Sequence, residues 1–219
     1  ELADDIHFRR GVELLTIGRV AQARDEFDSL RRELEHDPVA LYRLSTLTRD
    51  MGLYSSSVRS SIALVSLAPE NSVLEMPQFI QRLAFPPYFV DLVRAECQTY
   101  NIDPILMLSL IRQESVFDDK VSSWAGAVGL AQIMPTTGEW IAEMMPWSEY
   151  TSELDLQRAY LNVKFAAWFL DRILEMTDGN TGAALAGYNG GPGNGVYWLE
   201  QSGGDIDLLI RAPFVVTDP

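Results

Sequence analysis

A chain of 219 residues with 47% hydrophobic side chains has room for one ordinary core and a smaller one. The formal charge of -14 and pI near 4.5 exclude a phosphate-tracking surface, which needs clustered Lys and Arg, so no nucleic acid partner is expected. The start, Glu1-Leu2-Ala3-Asp4-Asp5, lacks the basic end and apolar stretch of a signal peptide, and no apolar run approaches the roughly 20 residues of a membrane span; any export signal is read as already removed.

The first third repeats itself at about 34 residues, the period of helix pairs in repeat arrays. Gly11, Gly18, Ala23 and Leu30 are matched by Ser45, Gly52, Ser57 and Leu64. Small residues at Gly11/Ser45 and Ala23/Ser57 let paired helices approach, and Gly18 and Gly52 punctuate the turns. Residues 1–76 therefore resemble a tetratricopeptide-type pair of helical hairpins, with Ser61 standing where the first copy has Phe27. Two copies are fewer than such an array needs alone, so the segment is expected to pack on something else.

Pro69, Pro77, Pro86 and Pro87 loosen the pattern, and residues 77–87 are read as a linker to a domain over 88–219. That domain is expected to open with a helix from Tyr88 to Thr99. A second runs from Pro104 to Phe117 with Asp103 as its N-cap. Thr136 and Glu139 predict a capping box that opens a helix through Met145. Leu156, Tyr160, Val163, Ala167, Leu170 and Leu174 form one apolar stripe of a long core helix. Short helices around Gly182 to Tyr188 and Val196 to Gln201 are separated by the glycine-rich run Gly190 to Gly195, and no alternating strand pattern appears.

Cys97 cannot form an internal disulfide and reads as a buried thiol in a helix. His7 and His36 are both far from it in sequence, so neither a zinc cluster nor a Cys/His nucleophile is easily assembled, and both read as surface residues. No metal or organic cofactor is expected.

Glu114 is the first candidate for chemistry. It shares a helix face with Met107, Leu110 and Ile111, and burial there would raise its pKa toward the range of a general acid. The alternatives are solvation at a helix end or an ion pair with a cation such as Arg158. The segment Ser122 to Pro135 adds small residues and glycines that let backbone approach a ligand, and Gln132 offers an amide donor and acceptor suited to sugar hydroxyls or acetamido groups. Taken alone, it reads equally well as a tight turn. Ala186-Gly187-Tyr188-Asn189-Gly190-Gly191 adds a phenol and an amide, or else a helix C-cap and loop.

Ile111-Arg112-Gln113-Glu114-Ser115, Gly129-Leu130-Ala131-Gln132-Ile133-Met134-Pro135 and Gly187-Tyr188-Asn189-Gly190-Gly191, in that order, resemble the three motifs of the soluble lytic transglycosylase family, relatives of goose-type lysozyme. The likeness covers Phe85 to Gly195. It implies a mainly α fold, with a lysozyme-like helical catalytic domain preceded by helical hairpin repeats. It also implies Glu114 as acid/base, with Ser123 as its polar neighbour and Gln132, Met134, Tyr188 and Asn189 lining a saccharide groove. The family usually has Met at Ala131 and Ala at Gly187, and Ile210 to Thr217 only partly resembles the family's closing segment.

By this resemblance the substrate is the peptidoglycan glycan strand in a bacterial periplasm or cell envelope; the helical repeats, separately, offer a surface for a protein partner that the sequence does not identify. Glycosidases ordinarily use two carboxylates, yet only Asp118 and Asp119, in an expected loop, follow Glu114 closely. The family's chemistry needs one. The resemblance implies that Glu114 would protonate the leaving oxygen while the acetamido group shields the cation, then would deprotonate the 6-hydroxyl to leave a 1,6-anhydro-N-acetylmuramic acid end. The rival expectations are a lysozyme-like hydrolase with water as acceptor and a noncatalytic glycan-binding scaffold. A fragment starting near Pro77 is expected to keep the groove.

Overall fold

The computed structural model describes residues 2–68, 72–145, 149–205 and 208. It divides into two compact units, Glu1–Tyr88 with Val116–Asp118 and Phe89–Ser115 with Asp119–Pro219. Among the described residues the regular structure is helical, with only isolated bridges at Ser122–Val128 and Val128–Ile133. No described helix is long and apolar enough to cross a membrane. Pro69 and the segment Ile210 to Thr217 lie outside the described residues.

The first unit contains two helical hairpins, α1 (Ile6–Thr16) with α2 (Val20–Glu33) and α3 (Pro38–Asp50) with α4 (Tyr54–Ser66), followed by α5 (Gln78–Ala84). Asp5 caps α1 by accepting from the His7 and Phe8 amides, and Asp37 caps α3 in the same way from Val39 and Ala40. The turns between paired helices hold Gly18 and Gly52 at φ 73° and 76°, the left-handed region that glycine enters without strain. In the first hairpin a Cβ at Gly11 would come within 2.8 Å of the Phe27 ring, so the small residue makes room for an aromatic. Ala23, Phe27, Leu30, Leu44 and Leu53 form the core around it.

The second hairpin is stitched with serines. Ser45 donates to the Ser57 carbonyl at 2.9 Å, and Ser61 donates to the Leu83 carbonyl at 3.0 Å. The serine that replaces Phe27 in the second copy thus ties α4 to α5, and each such bond contributes about 0.5–1.5 kcal/mol net. Tyr88 closes this unit. Its ring stacks on Tyr54 at 4.1 Å, meets Phe117 edge-on at 5.5 Å, and its hydroxyl shares a hydrogen bond with Ser57 at 3.2 Å.

The second unit contains α6 (Val90–Tyr100), α7 (Pro104–Ser115), α8 (Pro135–Met144), α9 (Ala159–Met176), α10 (Thr181–Gly190) and α11 (Pro192–Gln201). Helix α9 is its axis. Phe165, Ala166, Ala167 and Leu170 are wholly buried, so the apolar face is wider than the stripe expected from spacing. Leu156 belongs to a 3-10 turn, Glu153–Gln157, rather than to α9, yet it is also fully buried.

Three local expectations change. Helix α7 stops at Ser115 instead of Phe117, because Val116 and Phe117 adopt φ 52° and 61°. Such left-handed residues cost about 1–3 kcal/mol each and persist only under outside constraint. The Thr136/Glu139 capping box does not form, since Met134 is the N-cap and Pro135, at the first helical position, has no amide to satisfy. The glycine-rich run is mostly helical, with only Gly191 between α10 and α11. Pro192 starts α11, and a Cβ on Gly195 would stand 2.8 Å from the Gly187 Cα, so these glycines let two backbones touch.

Candidate active site

Glu114 occupies the last turn of α7 beside fully buried Met107 and Ile111. It is half-buried, and among the described residues no hydrogen bond or ion pair engages its carboxylate. Burial raises its pKa above the ordinary 4.5, and the negative end of the helix dipole acts in the same direction. The alternative partner, Arg158, sits 3.3 Å from Asp155. What remains at Glu114 is a partly dehydrated acid that retains its proton more readily than a surface glutamate.

The loop from Ser122 to Met134 folds back on itself through the Ser122–Val128 and Val128–Ile133 bridges. Ser123 and Ala127 exchange backbone bonds through Ser123 N–H to Ala127 O at 2.9 Å, while the Ser123 Oγ accepts from the Ala127 amide at 3.0 Å. No hydrogen bond joins Ser123 to Glu114. Gln132 stands at φ 49°, and its Nε2 donates to the Gly129 carbonyl at 2.9 Å. The amide nitrogen expected to meet sugar is therefore engaged in shaping the loop, whereas no described protein donor reaches Oε1.

The buried side chain of Asn162 pins this loop, a role that spacing along the helix does not announce. From α9 its Nδ2 donates to the Val128 carbonyl at 2.8 Å and the Leu156 carbonyl at 2.9 Å, and its Oδ1 accepts from the Ala131 amide at 2.8 Å. A Cβ on Gly129 would lie 2.4 Å from the Leu156 oxygen and 2.5 Å from Asn162 Nδ2, so only glycine fits, at φ 81°. The available signal was an asparagine between Leu161 and Val163 in an apolar helix, where an amide must find partners.

Tyr188, on α10, donates from its hydroxyl to the Ala131 carbonyl at 3.0 Å, and its ring tilts against Phe169. Desolvation first, then the charge of Glu114, raises its pKa well above 10. The phenol is therefore neutral across the physiological range and electrostatically coupled to Glu114. Asn189, the next residue, is exposed, and Met134 is 38% exposed at the start of α8. Trp124, at the tip of the Ser123–Ala127 turn, is fully exposed.

The other titratable groups have different duties. Asp118 lies 2.6 Å from Arg24 and Asp119 lies 3.3 Å from Lys120. His7 bonds Glu26 at 2.6 Å, His36 is exposed, and Cys97 is a buried thiol whose pKa burial lifts to about 11. Among the described residues no group of His, Cys, Asp and Glu is arranged to hold a metal ion.

The second unit thus carries a half-buried acid, a glycine-shaped loop and a tyrosine tied to that loop. The chain belongs to the Transglycosylase SLT domain family, which matches residues 91–208. It is 32% identical over 125 residues to the soluble lytic murein transglycosylases of Salmonella typhimurium and Escherichia coli, covering 57% of this chain and 19% of theirs. A putative soluble lytic murein transglycosylase of Haemophilus influenzae is 27% identical over 210 residues, covering 94% of this chain and 33% of that one. The chain thus spans between a fifth and a third of these relatives.

An inactive mutant of lytic transglycosylase Slt from Pseudomonas aeruginosa superposes with a TM-score of 0.80 over 95% of this chain and 32% of that one, at 24% identity. The 70 kDa soluble lytic transglycosylase of Escherichia coli gives 0.76 over 93% and 31%, at 25% identity. The fold class expected from the sequence, mainly α with a lysozyme-like domain behind helical hairpins, is the one found.

Proposed function

We propose that this chain is a peptidoglycan lytic transglycosylase in which Glu114 is the only acid/base. The observation that carries the reading is a carboxyl group without an ion pair, its pKa raised by burial, in a family whose relatives are named murein transglycosylases. In this reading residues 88–219 carry the chemistry, 77–87 link, and 1–76 form the repeat segment. The setting is the bacterial cell envelope.

Protonated Glu114 gives its proton to the glycosidic oxygen of N-acetylglucosamine as the bond to C1 of N-acetylmuramic acid breaks. The acetamido oxygen of the same muramic acid shields C1. Glu114, now ionised, takes the 6-hydroxyl proton as O6 closes onto C1, so the carboxyl group is restored and no water is consumed. Gln132 Oε1, Met134 and Asn189 face the saccharide, Tyr188 supports the loop behind it, and Ser123 shapes the turn beside it. Two-carboxylate hydrolysis fits less well, because Asp118 is engaged with Arg24.

Mass spectrometry of peptidoglycan digested by the purified chain tests this reading. Muropeptides ending in 1,6-anhydro-N-acetylmuramic acid are expected. Reducing ends would replace it with a lysozyme-like hydrolase, and intact sacculi with a glycan-binding scaffold.

A further inference from the structure

The first unit takes in a piece of chain that comes directly after Glu114. Val116–Asp118 belong to the same compact unit as the helical hairpins, although Ser115 and Asp119 on either side belong to the other. Nothing local favours the shape of this piece. A β-branched valine and a phenylalanine in succession occupy left-handed backbone, where the apolar pattern alone would continue α7 through Phe117.

Two contacts within the unit supply the constraint. Phe117 is buried and meets Tyr88 edge-on at 5.5 Å, with Tyr88 itself held by Tyr54 and Ser57. Asp118 lies 2.6 Å from Arg24 Nη1, with both side chains at least 85% buried. A pair at this depth holds its geometry firmly, because separating two buried opposite charges forfeits their attraction without restoring full hydration to either.

We propose that Arg24, acting through Asp118, is a positioning residue for Glu114: it holds the strained Val116-Phe117 turn that ends α7 and so fixes how the chain leaves the acid toward the Ser123–Gln132 loop. The inference rests on the reading of Glu114 as the acid/base. It gives the helical hairpins a part in catalysis without placing any of their residues on substrate. A fragment beginning near Pro77 lacks Arg24, Tyr54 and Ser57, so it would carry the motifs and lose the hold on them, contrary to the division of labour expected from the sequence.

The test uses the full chain with Arg24→Gln, Arg24→Lys and Asp118→Asn, each checked for cooperative melting. Two properties are measured: kcat and KM on purified glycan strands, and the titration of Glu114 by carboxyl 13C NMR, its signal identified by its loss in Glu114→Gln. Tyr188, the titratable group coupled to Glu114, ionises far above the window observed. Arg24→Gln and Asp118→Asn should lower kcat about 10- to 100-fold with little change in KM, the scale of a misplaced catalytic group. The midpoint of Glu114 should fall toward the ordinary carboxylate range as water enters, and Arg24→Lys should recover part of both properties. A folded Arg24→Gln variant with parental kcat and parental midpoint would overturn the proposal. So would failure of all three variants to melt cooperatively, which would make the pair architectural. A parent chain that cuts no glycan, yet whose raised Glu114 midpoint drops in Arg24→Gln, would refute the transglycosylase reading while supporting the positioning role.

Discussion

The Tyr188 hydroxyl donates to the Ala131 carbonyl at 3.0 Å, joining residues 57 apart in sequence and linking the glycine-tyrosine-asparagine motif to the loop motif. On the proposed reading the phenol's task is mechanical, since burial pushes its pKa well above 10 and leaves it neither base nor acid near neutrality.

Tyr188→Phe should therefore lower turnover by about fivefold without abolishing it, in proportion to a lost neutral hydrogen bond of about 1 kcal/mol. Release of soluble muropeptides over time measures this. A Phe variant as inactive as Glu114→Gln would make the phenol a principal proton carrier.

Glu114→Gln keeps size and removes the proton, so the rate should fall by about 10⁴-fold, the upper end for general acid-base catalysis, or further. The same variant should gain thermal stability in a pH-dependent way. The folded pKa is raised above 4.5, so the folded state binds the proton more tightly than the unfolded state, and stability drains away as pH climbs through that window. Glutamine has no such cost. Melting temperatures of parent and variant should coincide below pH 4.5 and separate above it, with Gln the more stable; equal melting temperatures at pH 8 would show the carboxylate to be well solvated.

Asn162→Ala removes one acceptor and two donor bonds at once: the Ala131 amide and the Leu156 carbonyl lose the asparagine, and the Val128 carbonyl is left with the Ile133 amide at 3.1 Å. A loss of about 2–4 kcal/mol is expected from stranded buried groups. Urea unfolding gives the value, and a cost under 1 kcal/mol would mean that water replaces the amide.

His7 carries a different pH signature. Its hydrogen bond to Glu26 is the main cause of a pKa raised above 6.5, opposed by desolvation and aided by the charge of Glu33. Protonated His7 contributes stability in full below pH 6.5, and the contribution is lost as pH rises through the folded pKa. His7→Gln should therefore melt lower than the parent at pH 5.5 and alike at pH 9; a constant difference across this range would point to packing instead.

The parts of the site that the sequence made legible are those set by short-range pattern. Glu114 falls on an apolar face because residues three and four apart share a helix face, and the turns at Gly18 and Gly52 follow from backbone that glycine alone adopts cheaply. The departures come from contacts distant in sequence. The apolar pattern continues α7 past Ser115, whereas Phe117 is drawn to Tyr88, 29 positions earlier by their numbers, and Asp118 to Arg24. Gln132 looks like a sugar ligand in composition, yet its amide nitrogen is turned inward to the Gly129 carbonyl. Asn162 lies off the apolar stripe, and its role is not legible from spacing because its three partners lie on other segments.

Gly187 and Gly195, whose backbones meet, differ in how freely each position can be substituted. Alanine at 195 would press on the Ala183 oxygen and the Gly187 backbone, each at 2.8 Å, and no side-chain rearrangement relieves a clash with main chain. Alanine at 187 would meet the Ile173 methyl at 3.0 Å and the Gly195 Cα at 3.3 Å, so it is admissible if the isoleucine yields. Substitution is thus open at 187 and closed at 195, and the pair acts as a one-sided lock: the main chain at 195 is the part that cannot give.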